Sequence, residues 1–208
     1  FILDVTARNF ILTALLCTGF SLVGFMASLC IEYTDPSGSE KKFNALFFKE
    51  IYNSLKIAKE EPSLLCAVFG SAFFLFLGAF VQLNIIPFAI QSLQLTDVQG
   101  GYLFLLTALG IGSGSILAGK ISGKTVELGM VPLAALGVAL SCFMLDYFSD
   151  WLLPVVPLVM LLGFFGGMYQ IPMDSYIQVA SPNQHRGQIV AATNFVSFIG
   201  VLLASVLV

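Results

Sequence analysis

Asp174 is the acid best placed to do chemistry inside an apolar helix of this 208-residue chain. It stands near the end of a long hydrophobic stretch. Tyr169, Gln170, Asp174 and Gln178 recur there at spacings close to one helix face. An ionisable group in hydrocarbon costs roughly 2.5–3.5 kcal/mol on insertion scales, so it faces protein or water. Such a set can hold a structural hydrogen bond or gate contact at a helix end, or touch a polar solute or headgroup on a pathway. Gln82, Asn84 and Asn194 are further polar residues within apolar runs and are candidates of the same kind.

Other chemistries find little support. His185 is the single histidine, beside Arg186 in a loop, with no second ligand at metal-binding spacing. One loop histidine cannot complete a Ser/His/Asp or Cys/His set within the membrane, so the segment reads as a non-enzyme. Cys17, Cys30, Cys66 and Cys142 form no CxxC pair and read as small apolar side chains. Ala118-Gly119-Lys120-Ile121-Ser122-Gly123-Lys124-Thr125 fits a loose phosphate-loop pattern with Ala in the first Gly position. That loop needs a strand to deliver its backbone N–H groups, and an apolar span precedes it here. A tight basic turn between two helices is the better reading, and no cofactor is expected. Gly110-Ile111-Gly112-Ser113-Gly114 imitates a dinucleotide fingerprint without the strand. Gly110/Gly114, Ser115/Gly119 and Gly163/Gly167 are instead small-xxx-small pairs, which let helices approach closely in lipid.

The elements that must position these residues follow from composition. The chain has 9 Lys/Arg and 12 Asp/Glu, so 10 % of it is charged, against about 25 % in an average soluble domain. Hydrophobic residues make up 58 %, with 20 Phe, and the mean hydropathy is +0.94. This excludes a soluble enzyme and a disordered tail, and a net charge of −3 offers no footprint for nucleic acid. A membrane-crossing helix needs about 20 apolar residues. Uncharged runs of that order occupy 10–31, 63–96, 98–119, 128–145, 151–173 and 187–208. They predict an all-α, polytopic transmembrane bundle of about six spans. After the first run, the spans are expected at 64–86, 98–119, 128–146, 152–178 and 188–208. No period-two alternation recurs, which argues against a membrane barrel. Pro87 either ends the second span or breaks it into an extended outer end with Gln91 and Gln94.

Basic residues set the orientation. Lys41, Lys42, Lys49, Lys56, Lys59, Lys120, Lys124 and Arg186 fall on one side of this topology, and only Arg8 on the other. The side rich in Lys and Arg is cytoplasmic. The loop 32–62 opens on a turn, Thr34-Asp35-Pro36-Ser37-Gly38. Phe43, Leu46, Phe47, Ile51, Leu55 and Ala58 then recur at helical spacing. This predicts an amphipathic helix at the cytoplasmic interface, with its lysines near headgroups; it serves as a structural linker or, less simply, as a lipid sensor.

Three segments carry a family resemblance. Gly119-Lys120-Ile121-Ser122-Gly123-Lys124 resembles the second copy of the major facilitator loop motif, which joins the eighth and ninth membrane helices. Ser181-Pro182, Arg186-Gly187 and Asn194-Phe195 resemble the connection between the tenth and eleventh. The charged loop 32–62 resembles the central linker of that superfamily. On this alignment 1–31 holds the last helix of the N-terminal half and 63–208 five helices of the C-terminal half. The major facilitator fold would then be partial, with Phe1 and Val208 internal to a longer protein.

Within the superfamily the chain resembles the bacterial lysophospholipid transporters, which occur alone or fused ahead of an acyltransferase and an acyl-carrier-protein synthetase module. The carrying residues are Gln82-Leu83-Asn84 with Pro87, Gly101-Tyr102-Leu103 with Gly110 to Gly114, and Ile171-Pro172-Met173-Asp174-Ser175-Tyr176-Ile177-Gln178. The family more often carries Asn where Asp174 stands. The resemblance implies alternating-access movement of a lysophosphatidylethanolamine-like lipid across a bacterial inner membrane, for reacylation. Gln82, Asn84, Tyr169, Gln170, Asp174 and Asn194 would line the path. Lys120, Lys124 and Arg186 would make cytoplasmic gate contacts. The partners implied are membrane lipid, the lysophospholipid and a fused or associated acyltransferase. Two alternatives stand beside this reading: a small-molecule or drug exporter, with proton coupling through Asp174, and a membrane module that docks an acyltransferase.

Overall fold

A computed structural model describes residues 10–33, 47–123 and 125–208, and among these every regular element is a helix. The chain divides into two units, 1–45 and 46–208. In the first unit, α1 (Phe10–Ser28) is apolar over its whole length, as a membrane span is. Thr18 and Ser21 donate to carbonyls one turn back, at 2.9 Å each, which satisfies their hydroxyls without water.

The second unit contains α2 (Phe47–Ala58), α3 (Pro62–Gln91), α4 (Asp97–Ser122), α5 (Met130–Tyr147), α6 (Leu152–Ala180) and α7 (Arg186–Leu207). With α1, the last five of these are six helices long and apolar enough to cross a membrane. One of them, α3, runs past the span expected at 64–86. That helix neither ends nor breaks at Pro87 but continues one turn to Gln91. The missing N–H of Pro87 would have bonded the carbonyl of Leu83, a single lost bond in the last turns of a 30-residue helix. Pro62 opens the same helix at a position where no N–H partner exists anyway. Thr96 and Gln99 start α4 with a reciprocal capping box. Gly123, at φ +54°, ends it in a conformation that disfavours other side chains. Residues 119–123 are therefore a helix end, and the Thr125 N–H donates to the Ser122 carbonyl at 3.0 Å.

Within the second unit consecutive spans run antiparallel, with one apolar cluster toward each end. Ala58, Leu64, Ala67, Val68, Met173, Ile177 and Ile189 form one, with Leu128 and Val131 against it. Ile85, Ala89, Leu103, Val155 and Val159 form the other, with Leu145 against it. Among the described residues, Lys49, Lys56, Lys59, Lys120 and Arg186 all lie toward the first end. Asp97, Asp146 and Asp150 lie toward the second. The positive-inside argument therefore assigns the first end to the cytoplasm.

The tightest pair of helices is α4 with α6. A Cβ on Gly110 would strike the Met160 carbonyl, and one on Gly114 the Phe164 carbonyl. A Cβ on Gly163 would strike the Thr107 carbonyl, and one on Gly167 the Ile111 carbonyl and Ser115. Two Gly-xxx-Gly ridges thus interlock backbone to backbone, as lipid-phase packing favours. Ser115 takes part, but Gly119 faces open space, so the predicted Ser115/Gly119 pair is only half used. On the other side α3 meets α7, where Gly200 approaches the Ala72 carbonyl. Helix α6 also contacts α3 and α5 and is the hub of the unit.

The predicted amphipathic helix is α2. Its described part begins at Phe47, so Phe43 and Leu46 lie outside the described residues, as do Lys41 and Lys42. Ser54 and Ala58 are buried, and the helix rests on α3 and α7. Phe47 and Phe48 meet Phe195 of α7 edge-on, with ring centroids 6.0 and 5.7 Å apart. The Ala58 end of this face is thus turned to protein, while Phe47 and Phe48 remain exposed.

Candidate functional site

The polar residues of α6 find their partner on α3. Ser71 is fully buried and donates to Asp174 Oδ1 at 3.1 Å. Gln170 Nε2 donates to Ser71 Oγ at 2.7 Å and to Asp174 Oδ1 at 2.8 Å. The three side chains close a triangle between two membrane-spanning helices. Gln170 and Asp174 are four residues apart, so both project from one face of α6. The triangle fixes the orientation of the Gln170 amide, because a flip would set its carbonyl against the carboxylate.

The triangle leaves one group over. Gln170 Oε1 is buried and has no hydrogen-bond partner among the described residues. An unmet buried acceptor costs roughly 1–3 kcal/mol, and Gln170 is also one of the residues that line a cleft.

That cleft has a volume of about 250 Å³ and opens between α3, α6 and α7. Its polar wall is Ser71, Gln170, Asp174, Gln178, Thr193 and Asn194; Leu75, Ile177 and Val190 form the apolar wall. The Thr193 hydroxyl donates to the Ile189 carbonyl at 2.9 Å and is accounted for within its own helix. Asp174 lies six residues before the end of α6, about 9 Å along the axis, so the cleft belongs to the cytoplasmic half of the bundle.

Two tyrosines brace this seam from either side. The Tyr169 hydroxyl donates to the Gly70 carbonyl at 3.3 Å, and its ring stacks on Phe74 with centroids 4.7 Å apart. The Tyr176 hydroxyl donates to Ser63 Oγ at 2.9 Å, nearer the cytoplasmic end. Pro172 is buried between the two and cannot donate to the Met168 carbonyl, which removes one helical bond from the turn that carries Gln170.

The structure gathers some sequence candidates and separates others. Gln170, Asp174, Gln178 and Asn194 share the cleft. Tyr169 is next to it but turns toward Gly70 and Phe74. Gln82 and Asn84 are not brought to it. They sit 11 and 13 residues beyond Ser71 on α3, about 16–20 Å away along the axis. Gln82 is exposed, and Asn84 donates to the Phe80 carbonyl of its own helix at 2.8 Å. Lys120 is exposed in the last turn of α4. Arg186 Nη2 donates to Asn183 Oδ1 within the loop at 2.7 Å. Lys124 lies outside the described residues.

Ser71 was not among the sequence candidates. A serine in an apolar helix has the same signature as a small packing residue, and its partner lies 103 positions further along the chain.

Six apolar spans, an interlocked small-residue seam and a polar cleft within the bundle are the features of a multi-pass membrane transporter. Residues 5–205 match the Major Facilitator Superfamily, and the chain belongs to that family. It is a transporter family, so the segment is not an enzyme. No curated protein and no solved structure matched the chain.

Proposed function

We propose that the protein moves a lysophospholipid across the membrane by alternating access and that the α3–α6–α7 cleft receives its headgroup. The carrying observation is the cleft itself, a polar wall around Asp174 facing an apolar wall of Leu75, Ile177 and Val190. Its volume of about 250 Å³ suits a headgroup and lies below the roughly 300–1,000 Å³ of pockets that enclose whole drug-sized ligands. A single acyl chain would then remain against helix surfaces, where a lipid-soluble tail is at no disadvantage. The sequence resemblance supports the same substrate class. In this reading the membrane is a bacterial inner membrane, and the lipid is delivered for reacylation by a fused or associated acyltransferase.

The test is a flipping assay with a fluorescent lysophospholipid in vesicles containing the full protein. Protein-dependent movement well above the lipid background supports the reading. Movement equal to that of empty vesicles overturns it. Transport of small hydrophilic solutes or drugs in the same vesicles would favour the exporter alternative.

A further inference from the structure

Helix α2 contributes nothing to the cleft, yet its outward face is more than that of a plain linker. Phe48, Lys49, Tyr52, Lys56 and Lys59 are all exposed. At 3.6 residues per turn they fall within an arc of about 100°, on the side away from the buried Ser54 and Ala58. Lys59 continues the helix, since its N–H donates to the Leu55 carbonyl at 3.0 Å. The acids lie elsewhere. Glu50 is half-buried and outside this arc, and Glu60 and Glu61 follow the helix.

The helix is also inclined. Phe47 and Phe48 meet Phe195, which stands nine residues after Arg186, about 13.5 Å along α7 from its cytoplasmic end. Ala58, at the other end of α2, belongs to the apolar cluster at the cytoplasmic end of the bundle. The aromatic end of α2 is thus the deeper one, and Lys56 and Lys59 are nearer the surface. Lys49 can run its four-carbon stem back to the same level. Rings below and ammonium groups above match the order of a bilayer interface. Three lysines with no acid in the same arc complement anionic headgroups.

We propose that the outward face of α2 docks on anionic phospholipid of the cytoplasmic leaflet. Phe48 and Tyr52 enter the acyl boundary, and Lys49, Lys56 and Lys59 bind headgroup phosphates. The lipid held here is bilayer and not cargo. The surface lies outside the cleft, so the proposal does not rest on the transport reading.

The experiment is hydrogen exchange of the full protein in nanodiscs of phosphatidylcholine, or with a third of that lipid replaced by phosphatidylglycerol. Backbone amides of residues 47–59 should exchange about tenfold more slowly in the anionic discs, while the first turn of α4 exchanges equally in both. Replacing Lys49, Lys56 and Lys59 together with Gln should remove the difference, and high salt should do the same to the wild-type protein. Tyr52→Ser should speed exchange of α2 several-fold in the anionic discs. Equal exchange of residues 47–59 in both discs overturns the proposal. If that rate is as slow in detergent without phospholipid, a protein segment covers the face instead. A lipid difference that survives the triple substitution overturns the assignment to the lysines. Unchanged exchange in Tyr52→Ser overturns the insertion of that ring.

Discussion

Ser71 of α3 and Asp174 of α6 share a hydrogen bond of 3.1 Å inside the membrane-spanning bundle, across 103 residues of sequence. It links two helices that are also joined by the Tyr169–Gly70 and Tyr176–Ser63 hydrogen bonds, and Gln170 bonds to both partners. A polar tie of this kind is strong where water is scarce, yet it can be exchanged for a ligand that offers better donors. The α4–α6 seam rests instead on close packing of small residues. Its glycines set backbone against backbone.

The tie predicts a contrast between two substitutions. Asp174→Asn keeps an acceptor oxygen in place and should change stability by less than about 1 kcal/mol. Asp174→Ala removes the acceptor and leaves the buried Ser71 hydroxyl without one, at roughly 1–3 kcal/mol. Thermal unfolding in detergent measures both, and equal losses would show that the triangle is not the relevant contact.

The helix seam predicts position-specific tolerance. Gly114→Leu or Gly163→Leu should destabilise by about 2 kcal/mol or more, because backbone carbonyls block the new side chain. Gly112→Ala faces open space and should be neutral or up to about 1 kcal/mol stabilising, through helix propensity. Folded yield and unfolding temperature of the variants separate the two groups.

The start of α4 predicts a cap effect. Thr96 accepts from the Gln99 backbone N–H, and Gln99 Oε1 accepts from the Thr96 N–H at 3.0 Å. Thr96→Ala should cost about 1 kcal/mol, and Thr96→Ser should restore most of it. Hydrogen exchange at the first turn of α4 reads the change directly.

Orientation predicts an accessibility pattern. With Cys17, Cys30, Cys66 and Cys142 replaced by Ser or Ala, a cysteine introduced at Lys120 should react with an impermeant thiol reagent only from the cytoplasmic side. One at Asp150 should react only from the opposite side. Reversal of this pattern would invert the topology.

The spans were legible because lipid imposes a length and a composition that irregular loops cannot imitate. The Gly110/Gly114 and Gly163/Gly167 pairs were legible for a related reason: small residues one turn apart have few uses in an apolar helix other than close approach. Gln170, Asp174 and Gln178 could be grouped because one helix face fixes their relation. Relations between helices were less readable. Ser71 gave no sign of its partner, and the sequence did not show that Gln82 and Asn84, named with Asp174 as path candidates, stand about three turns from Ser71 along α3. Pro87 looked like an end or a break in the helix because propensity arguments do not see the neighbours that keep a long helix going. The linker helix α2 was found by its periodicity, but periodicity does not say whether its apolar face meets lipid or protein.

The central claim is that lipid passes through the cleft beside Asp174. The most direct measurement is lysophospholipid flipping by the full protein carrying either Asn194→Trp, which fills the cleft, or Gln82→Trp, which adds the same bulk outside it. The cleft account predicts at least a tenfold loss for Asn194→Trp and near wild-type rates for Gln82→Trp. Wild-type rates in a folded Asn194→Trp protein, with loss confined to Gln82→Trp, would contradict it.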